Sequence, residues 1–403
     1  MQGTKLCVEQ WRIKPTEERE LEIVERKGLG HPDHICDAIV EEAAVALSRY
    51  YYRTLGHLVH FNLDKALLAS GASVTELGGG RIVQPMRMIF GGRATCEWKG
   101  RAIPVTELIE EAANRWLDKN LRFVEPGRDM VFQDEVREGS PELVDIFHRQ
   151  AVGANDTSVA TGYAPMTDTE RVVLATEQYA NSAEFKSRFP ESGEDIKIMG
   201  IRQGRQLQLV VAMAFVDRFV DSEDVYFRQK QAISADLLAF ANRVKGRLQK
   251  VTIILNALDR PGRGIAGMYL TVSGTSAEEG DSGQVGRGNR VNGLIPFSRP
   301  LSTEAVAGKN PVSHVGKAYS VLSQQIAETI HREVPGVREV YVQFCGEIGR
   351  PVDQPLVASV ALVPHPRVRK SDIAPRVTAI VEQGLQGIYD LTHRLALGEI
   401  PLP

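Results

Sequence analysis

Five side chains able to hold metals, phosphates or protons crowd into residues 31–37 of the stretch "KGLGHPDHICDAIVEEA" (Lys27 to Ala43): His31, Asp33, His34, Cys36 and Asp37. Two chemistries compete for such a set, a tetrahedral zinc site and an anion site beside a hard cation. Pro32 suits the first turn of a helix, where its missing N–H is not needed, and the helix is then predicted to continue to about Tyr51. At 3.6 residues per turn Ile35, Ile39, Ala46 and Tyr50 share one face and Asp33 and Asp37 the opposite one, while His34 and Cys36 point well apart. A segment so arranged does not by itself wrap three or four soft ligands around zinc. There remains the reading in which Gly28, Gly30 and His31 lead into a helix N-terminus whose free N–H groups suit an anion, with Asp33 holding Mg2+ beside it. Taken alone, the segment is equally well explained by Asp33 as a plain helix cap and His31 as a surface loop residue.

A second concentration lies in the glycine-rich block Gly274–Gly293, "GTSAEEGDSGQVGRGNRVNG", and in "AGKNPVSHVGK" just after it. Neither common phosphate motif is present: GxxxxGK[ST] is absent, and "GRGNRV" breaks GxGxxG at Val291. The block nevertheless offers a carboxylate at Asp281, cations at Arg287 and Arg290, and glycines that let backbone N–H groups approach a ligand. Lys309, His314 and Lys317 follow within the next thirty-odd residues. Any one of these is ordinarily a solvated loop charge; their concentration among glycines is harder to dismiss. A third polar loop, "GANDTSVATGYAP", places Asn155 and Asp156 before a helix capped at Thr167, where turn chemistry alone accounts for the pair. Lys197 sits in "DIKIMGI", ordinarily an exposed strand position.

The elements that must position these groups are mixed in order. Helical periodicity is clearest in "HICDAIVEEAAVALSRYY", Val105–Lys119, Asp168–Asn181, Asp221–Leu248 and Val312–Glu333. Strand-like runs are "ELEIVERK", "HLVHFNLD", "RIVQPMRMIFGG", "DIKIMGI", "QLQLVVAMAFV", "VTIILNAL", "REVYVQF" and "LVASVALV". Gln203-Gly204 between two of them reads as a hairpin turn, so that pair is expected to be antiparallel. This ordering predicts an α+β fold, sheets with helices on one face, rather than a doubly wound parallel sheet.

At 403 residues the chain needs two or three cores, and 43% hydrophobic with 25% charged residues is the composition of a soluble globular protein. A net charge of −3 argues against a nucleic-acid binder working through a broad basic surface. Cys7, Cys36, Cys96 and Cys345 form no CxxC pair and are too few for a disulfide scaffold, so a cytoplasmic setting is expected. The longest greasy run, Leu207–Val216, is too short for a membrane span, and the first twenty residues have no signal-peptide core.

"ERKGLGHPDHICD", "ANDTSVATGYAP", "GEDIKIMGIRQG", "VSGTSAEEGDSGQVGRGNRVNGLI" and "GKNPVSHVGKAY", in this order over about residues 20–365, closely resemble the archaeal-type methionine adenosyltransferases. The resemblance implies synthesis of S-adenosylmethionine from ATP and L-methionine, followed by hydrolysis of tripolyphosphate to phosphate and pyrophosphate. It also implies Mg2+, activation by K+ as in the broader superfamily, and a homodimer or dimer of dimers with active sites between subunits. The implied fold is three α+β domains in pseudo-threefold arrangement, expected here as 1–28 with 165–262, 29–164, and 263–403.

By the same resemblance His31 matches the histidine near O5′ of the ribose, Asp33 the magnesium-ligating aspartate, and Lys197 a phosphate-contacting lysine. Asp156 stands where conventional enzymes have the methionine-contacting aspartate of "GDQG", with Asn155 and Ser158 beside it. Asp281 and Arg287 match the pair that contacts adenosine or amino acid and polyphosphate, with Arg290 following, and Lys309 matches the lysine of "GKDP". His314 and Lys317 lie one residue out of register with further charged residues of that element. Asp64 and Lys65 of "FNLDKALL", and Gly139 and Ser140 of "EVREGSPELVD", belong to family-like segments of substrate contact. The conventional pattern is broken in two places: "HPDH" replaces "HPDK", and Gly316 stands where an aspartate is expected, so one magnesium ligand must come from elsewhere. The same fold with a tripolyphosphatase activity or a modified methionine as substrate, and a silent nucleotide-binding regulatory subunit, are the competing readings.

Overall fold

The computed structural model describes residues 3–140, 144, 147 and 153–402. Three sheets dominate. The first has the strand order Lys5–Gln10, Val357–Pro364, Val337–Cys345, Val159–Ala164; the second Met130–Arg137, Met86–Ala94, Leu67–Ala69, Gly283–Gln284, with Phe61–Asn62 also on Met86–Ala94. The third runs Lys250–Leu255, Gln206–Val216, Ser192–Gln203, Leu21–Lys27, Ile295–Pro296, with Leu270–Thr271 beside Gln206–Val216. The α-helices among the described residues are α1 Pro32–Leu55, α2 Val105–Asn120, α3 Asp168–Ala180, α4 Ala183–Arg188, α5 Glu223–Val244, α6 Val315–Glu333, α7 Lys370–Gln386 and α8 Ile388–Ala396.

This is the expected α+β class, with parallel and antiparallel pairs in each main sheet. The Gln203-Gly204 hairpin is antiparallel, as its turn residues require. Thr167 caps α3 in a full capping box with Glu170.

Each sheet buries its apolar face against its own helices. Ile35, Ile39, Val40, Ala43 and Leu47 of α1 join Ile109 and Leu117 of α2 and Met86, Met88 and Met130 of the second sheet. A separate core gathers α6, α7 and α8 on the first sheet, and another gathers α3 and α5 on the third. Strand pairing divides the chain differently from the expected boundaries. Lys5–Gln10 lies parallel to Val357–Pro364, and Val159–Ala164 antiparallel to Val337–Cys345, so both segments belong to the sheet of the last third of the chain. Their apolar side chains decide it: Ala160 lies within that core, and Leu6 and Val8 pack on it.

First and third sheets are clasped by the buried Arg299, and a second buried arginine, Arg202, ties the third sheet to the segment before it. Arg299 pairs with Glu170 at 2.9 Å and Glu339 at 3.2 Å and lies 4.1 Å from the Tyr163 ring centroid. Arg202 meets Glu22 at 2.9 Å and the Thr16 carbonyl at 3.0 Å. Among the described residues no helix is long and apolar enough to cross a membrane.

Candidate functional site

Strand Leu21–Lys27 delivers the chain through Gly28–Gly30 to the start of α1, where His31 is the N-cap. Its Nδ1 accepts the Asp33 N–H at 3.1 Å, which makes the neutral ring an Nε2–H donor. Burial lowers the His31 pKa to about 4, helped by Lys27, Lys197 and Arg287 against the pull of Asp33. Lys197 stands directly opposite Lys27 in the ladder, and the Glu25 carboxylate lies between them, 3.8 Å from Lys27 Nζ and 3.9 Å from Lys197 Nζ. Two facing lysines repel each other, and the Glu25 carboxylate offsets part of that repulsion.

Asp33 is buried, and its carboxylate accepts from Lys27 Nζ at 2.8 Å and from the Gln284 N–H at 2.9 Å. The polar face of α1 is therefore not open to solvent: the glycine block lies on it. Asp37 accepts the Gly286 and Gly288 N–H groups at 2.8 and 3.0 Å, and a Cβ on Gly288 would stand 2.1 Å from Asp37 Oδ2. Burial lifts the Asp37 carboxyl to about 7 against the N–H bonds and Arg290. Asn289 brackets Lys27, its side-chain amide accepting from the N–H at 3.0 Å and donating to the carbonyl at 2.8 Å, and Lys27 Nζ donates to the Arg287 carbonyl at 2.5 Å. Asp281 lies beside Ser276 at 3.5 Å, and Ser276 donates its hydroxyl to the buried Asp195 at 2.5 Å. Burial raises Asp195 to about 6.

A cleft of about 660 Å³ opens next to this loop, lined among others by His60, Asp64, Asp156, Arg287, Lys309 and His314. Lys309 is buried and donates to Asp64 at 2.6 Å, while Lys65 reaches the other oxygen of Asp64 at 2.8 Å. Burial pushes the Asp64 carboxyl upward, but the two lysines outweigh it and hold the pKa below the usual range. His314 repeats the architecture of His31 at the start of α6: its Nδ1 accepts the Gly316 N–H at 3.2 Å, and burial, then Lys309, lower its pKa to about 3. Asp156, Glu304 and a ring nitrogen of His314 lie within 4.8 Å of one another, the one such grouping among the described residues. A Cβ on Gly316 would stand 3.0 Å from Glu304 Oε2, so a glutamate from the preceding loop fills the room that this glycine leaves.

The expected site residues thus fall into two neighbouring groups that meet at Arg287: His31, Asp33, Lys197 and Asp281 in one, Asp64, Lys65, Asn155, Asp156, Lys309 and His314 in the other. Others are engaged elsewhere. Lys317 is buried and donates to both oxygens of Glu41 at 2.8 and 2.6 Å, pinning α6 to α1. Arg290 donates to the Gly286 and Gly288 carbonyls at 2.6 and 2.7 Å, bracing the loop. Ser158 donates to Asp156 at 2.8 Å. Gly139 lies on the His60 ring, where a Cβ would come within 2.2 Å of Cδ2, with Ser140 next to it; Pro141, Glu142, Leu143 and Asp145 of the same segment lie outside the described residues. His34 packs near Trp116 and Cys36 is in the core, so neither faces a common ligand point with His31.

Lys27, Glu25, Asn289, Glu304 and His60 were not among the expected residues. Lys27 adjoins the glycine turn and Glu25 shares its strand face, signals that were present; Glu304 has none, being in an irregular loop.

The family described as S-adenosylmethionine synthetase (AdoMet synthetase) matches residues 4–399. A protein from Caldivirga maquilingensis named S-adenosylmethionine synthase is 44% identical over 96% of this chain and 97% of its own length. One of the same name from Hyperthermus butylicus is 43% identical over 98% and 99%. Among solved structures, an unusual S-adenosylmethionine synthetase from Campylobacter jejuni superposes with a TM-score of 0.62 at 15% identity, covering 93% of this chain and 90% of the other, a likeness of fold.

Proposed function

Because the chain belongs to the S-adenosylmethionine synthetase family and is thereby an S-adenosylmethionine-synthesising transferase, we propose the following course for its reaction. The methionine sulfur attacks C5′ of ATP, the S–C5′ bond forms as C5′–O5′ breaks, and the electron pair leaves on O5′, which becomes a terminal oxygen of tripolyphosphate. Water then cleaves the tripolyphosphate to phosphate and pyrophosphate.

The observation that carries this reading is the start of α1. A neutral, buried histidine, fixed as an Nε2–H donor by the Asp33 N–H, stands beside Lys27, Lys197 and Arg287. His31 donates to the departing oxygen, and the three cations take the negative charge that grows on the polyphosphate, in a site whose dipoles need no rearrangement. Holding sulfur, carbon and oxygen in line supplies the rest.

The donors present suit Mg2+ at two separate places, Asp33 in one residue group and Asp156 with Glu304 in the other, since each carboxylate has lone pairs beyond those its hydrogen bonds use. Bound there, Mg2+ would supply Lewis-acid neutralisation of phosphate oxygens. No set of residues is assigned to K+. Exposed apolar side chains on segments next to the cleft, Val159, Leu301 and Ile348, support self-association as a homodimer or dimer of dimers, with the two residue groups completing sites across the interface. The three cores are taken as three pseudo-threefold-related units of a cytoplasmic enzyme.

Purified protein incubated with ATP, L-methionine, Mg2+ and K+ is expected to yield S-adenosylmethionine, phosphate and pyrophosphate in step. Phosphate without the sulfonium product would overturn the reading in favour of a hydrolase. His31→Ala should lower turnover by roughly 100-fold or more with ATP affinity within a few-fold, the loss typical of a deleted transition-state donor.

A further inference from the structure

The turn that carries His31 takes its support from another strand. Gly28, Leu29 and Gly30 cross from Leu21–Lys27 to α1, closed by the His31 N–H on the Gly28 carbonyl at 3.0 Å. On strand Ser192–Gln203 the Ile196 carbonyl accepts the Gly28 N–H at 2.6 Å, and the Glu194 carbonyl accepts the Gly30 N–H at 2.8 Å. There is no slack between the two: a Cβ on Gly28 would stand 2.5 Å from the Ile196 oxygen, and one on Gly30 2.5 Å from the Asp195 nitrogen. His31 is therefore only as well placed as residues 194–196.

Those residues belong to an irregularity. The ladder between Ser192–Gln203 and Gln206–Val216 shifts register between Ser192 and Ile196, so Gly193, Glu194 and Asp195 do not pair in it. A bulge of this kind is unpaired and bent, and its shape has to be held by other groups.

Two cations hold it from behind. Lys186 of α4 is 7% exposed, and its Nζ donates to the Gly193 carbonyl at 2.7 Å and to the carbonyl and hydroxyl of Ser192, both at 3.3 Å. Three donors thus meet three acceptors, all on two residues of the bulge. Lysine is seldom buried unless paired, and main chain supplies most of the pairing here. Arg122, on the surface just beyond α2, donates to the same Ser192 carbonyl at 2.5 Å and pairs through Nε with the Glu194 carboxylate. The Asn181 amide adds a bond to the Glu194 carbonyl at 3.2 Å. Neither cation lines the cleft. On its other side the bulge meets the glycine block, where the Asp195 N–H donates to the Gly274 carbonyl at 3.0 Å and the Thr275 hydroxyl reaches the Gly30 carbonyl at 2.7 Å.

We propose that Lys186 and Arg122 are positioning residues for the reaction: by gripping the Ser192–Asp195 bulge they hold the glycine turn seated on it, and so hold His31 where it donates to the departing oxygen. This rests on that role of His31. A pair that only stabilised the fold would lower the melting temperature and leave the working of the folded enzyme as it was.

Lys186→Met keeps the length of the side chain and removes its donors, and Arg122→Gln loosens the same grip from the surface. Each is made alone and with His31→Ala in the full-length protein, and kcat, KM for ATP and the melting temperature are measured, the kinetics below the melting point of every variant. With His31 present, Lys186→Met is expected to lower kcat by roughly 10- to 100-fold and Arg122→Gln by roughly 3- to 10-fold, the scale of a misplacement of up to about 1 Å, with KM within a few-fold. In the His31→Ala background both losses should shrink to within about two-fold, because a donor that is gone cannot be misplaced, while the drop in melting temperature stays the same. Should Lys186→Met fail to fold, Arg122→Gln carries the cycle alone. Hydrogen exchange followed by mass spectrometry should show peptides over residues 27–31 exchanging faster in either variant, with the Gln203-Gly204 hairpin unchanged. Equal kcat losses in both backgrounds, a loss confined to KM, or an unaltered turn would overturn the inference and leave the role of His31 standing on the large effect of His31→Ala alone. His31→Ala within about two-fold of wild type would overturn the role and the inference together.

Discussion

Replacing Gly288 by alanine tests whether the glycine block is held on α1 by contact rather than by chain flexibility. The added Cβ would stand 2.1 Å from Asp37 Oδ2, where ordinary contact begins at 3.4 Å, so loop and carboxylate must part by about 1.3 Å. Asp37 cannot swing away cheaply, because its oxygens accept from the Gly286 and Gly288 N–H groups at 2.8 and 3.0 Å. Hydrogen bonds to a charged group contribute about 1.5–3 kcal/mol each. Losing one of the two therefore lowers the unfolding free energy by about 2 kcal/mol. The larger effect falls on turnover, since the same loop carries Arg287, and a misplacement of about 1 Å costs on the order of 100-fold. The assay is a double-mutant cycle with Asp37→Ala, reading kcat/KM for ATP and urea stability. Gly288→Ala should be severe alone and nearly silent once Asp37 has been trimmed, a coupling of about 1–3 kcal/mol. Equal effects in both backgrounds, or kcat/KM within two-fold of wild type, would refute the contact account.

Three further outcomes follow from titratable side chains. His34 is buried near Trp116, and burial, then Arg26 and His31, hold its pKa at about 3. A depressed histidine leaves the unfolded chain alone to take the proton as pH falls below about 6.5, so stability is lost between there and about 3. His34→Phe should therefore remove about 1.4 kcal/mol per pH unit from the slope of urea stability between pH 6 and 4, and identical slopes would exclude it. Lys317→Met strands Glu41 without its cation and is expected to cost about 3–5 kcal/mol, with Glu41→Gln in the same chain recovering much of it; thermal melts of the single and double variants decide. Glu304→Gln should weaken Mn2+ binding, followed by electron paramagnetic resonance in the presence of tripolyphosphate, by about 10-fold through loss of one hard anionic ligand. Unchanged affinity would remove Glu304 from the cation site.

What could be read from the chain alone was local. Helix α1, the capped start of α3 and the Gln203-Gly204 hairpin are specified by residues within a few positions of one another. The same holds for His31 and Asp33, whose placement at a helix N-terminus needs only the spacing of Gly30, Pro32 and the apolar stripe behind them. Helices α7 and α8 were not anticipated; Pro375 within the former and Gly387 between the two interrupt the periodic signal. Strand Lys5–Gln10 is largely exposed and has little alternation to betray it. The backbone N–H partners of Asp33 and Asp37 in the glycine block lie some 250 residues away, and only the docking of that block brings Gln284 and Gly288 to them. Lys317 reads as one more loop cation beside Lys309, yet Glu41 draws it inward. Such long-range pairings leave no periodic trace in sequence.

The strand order has a consequence for how the protein comes into being. Leu21–Lys27 gains its outer neighbour only at Ile295–Pro296, Leu67–Ala69 only at Gly283–Gln284, and Lys5–Gln10 only at Val357–Pro364. A ribosome that has made the first 280 residues has completed none of the three main sheets, so each keeps an edge open to wrong partners for most of synthesis. Pairings this distant also make folding slow for the chain's size. The long wait falls hardest on Lys5–Gln10, which must be kept from pairing with another nascent chain until the last hundred residues emerge.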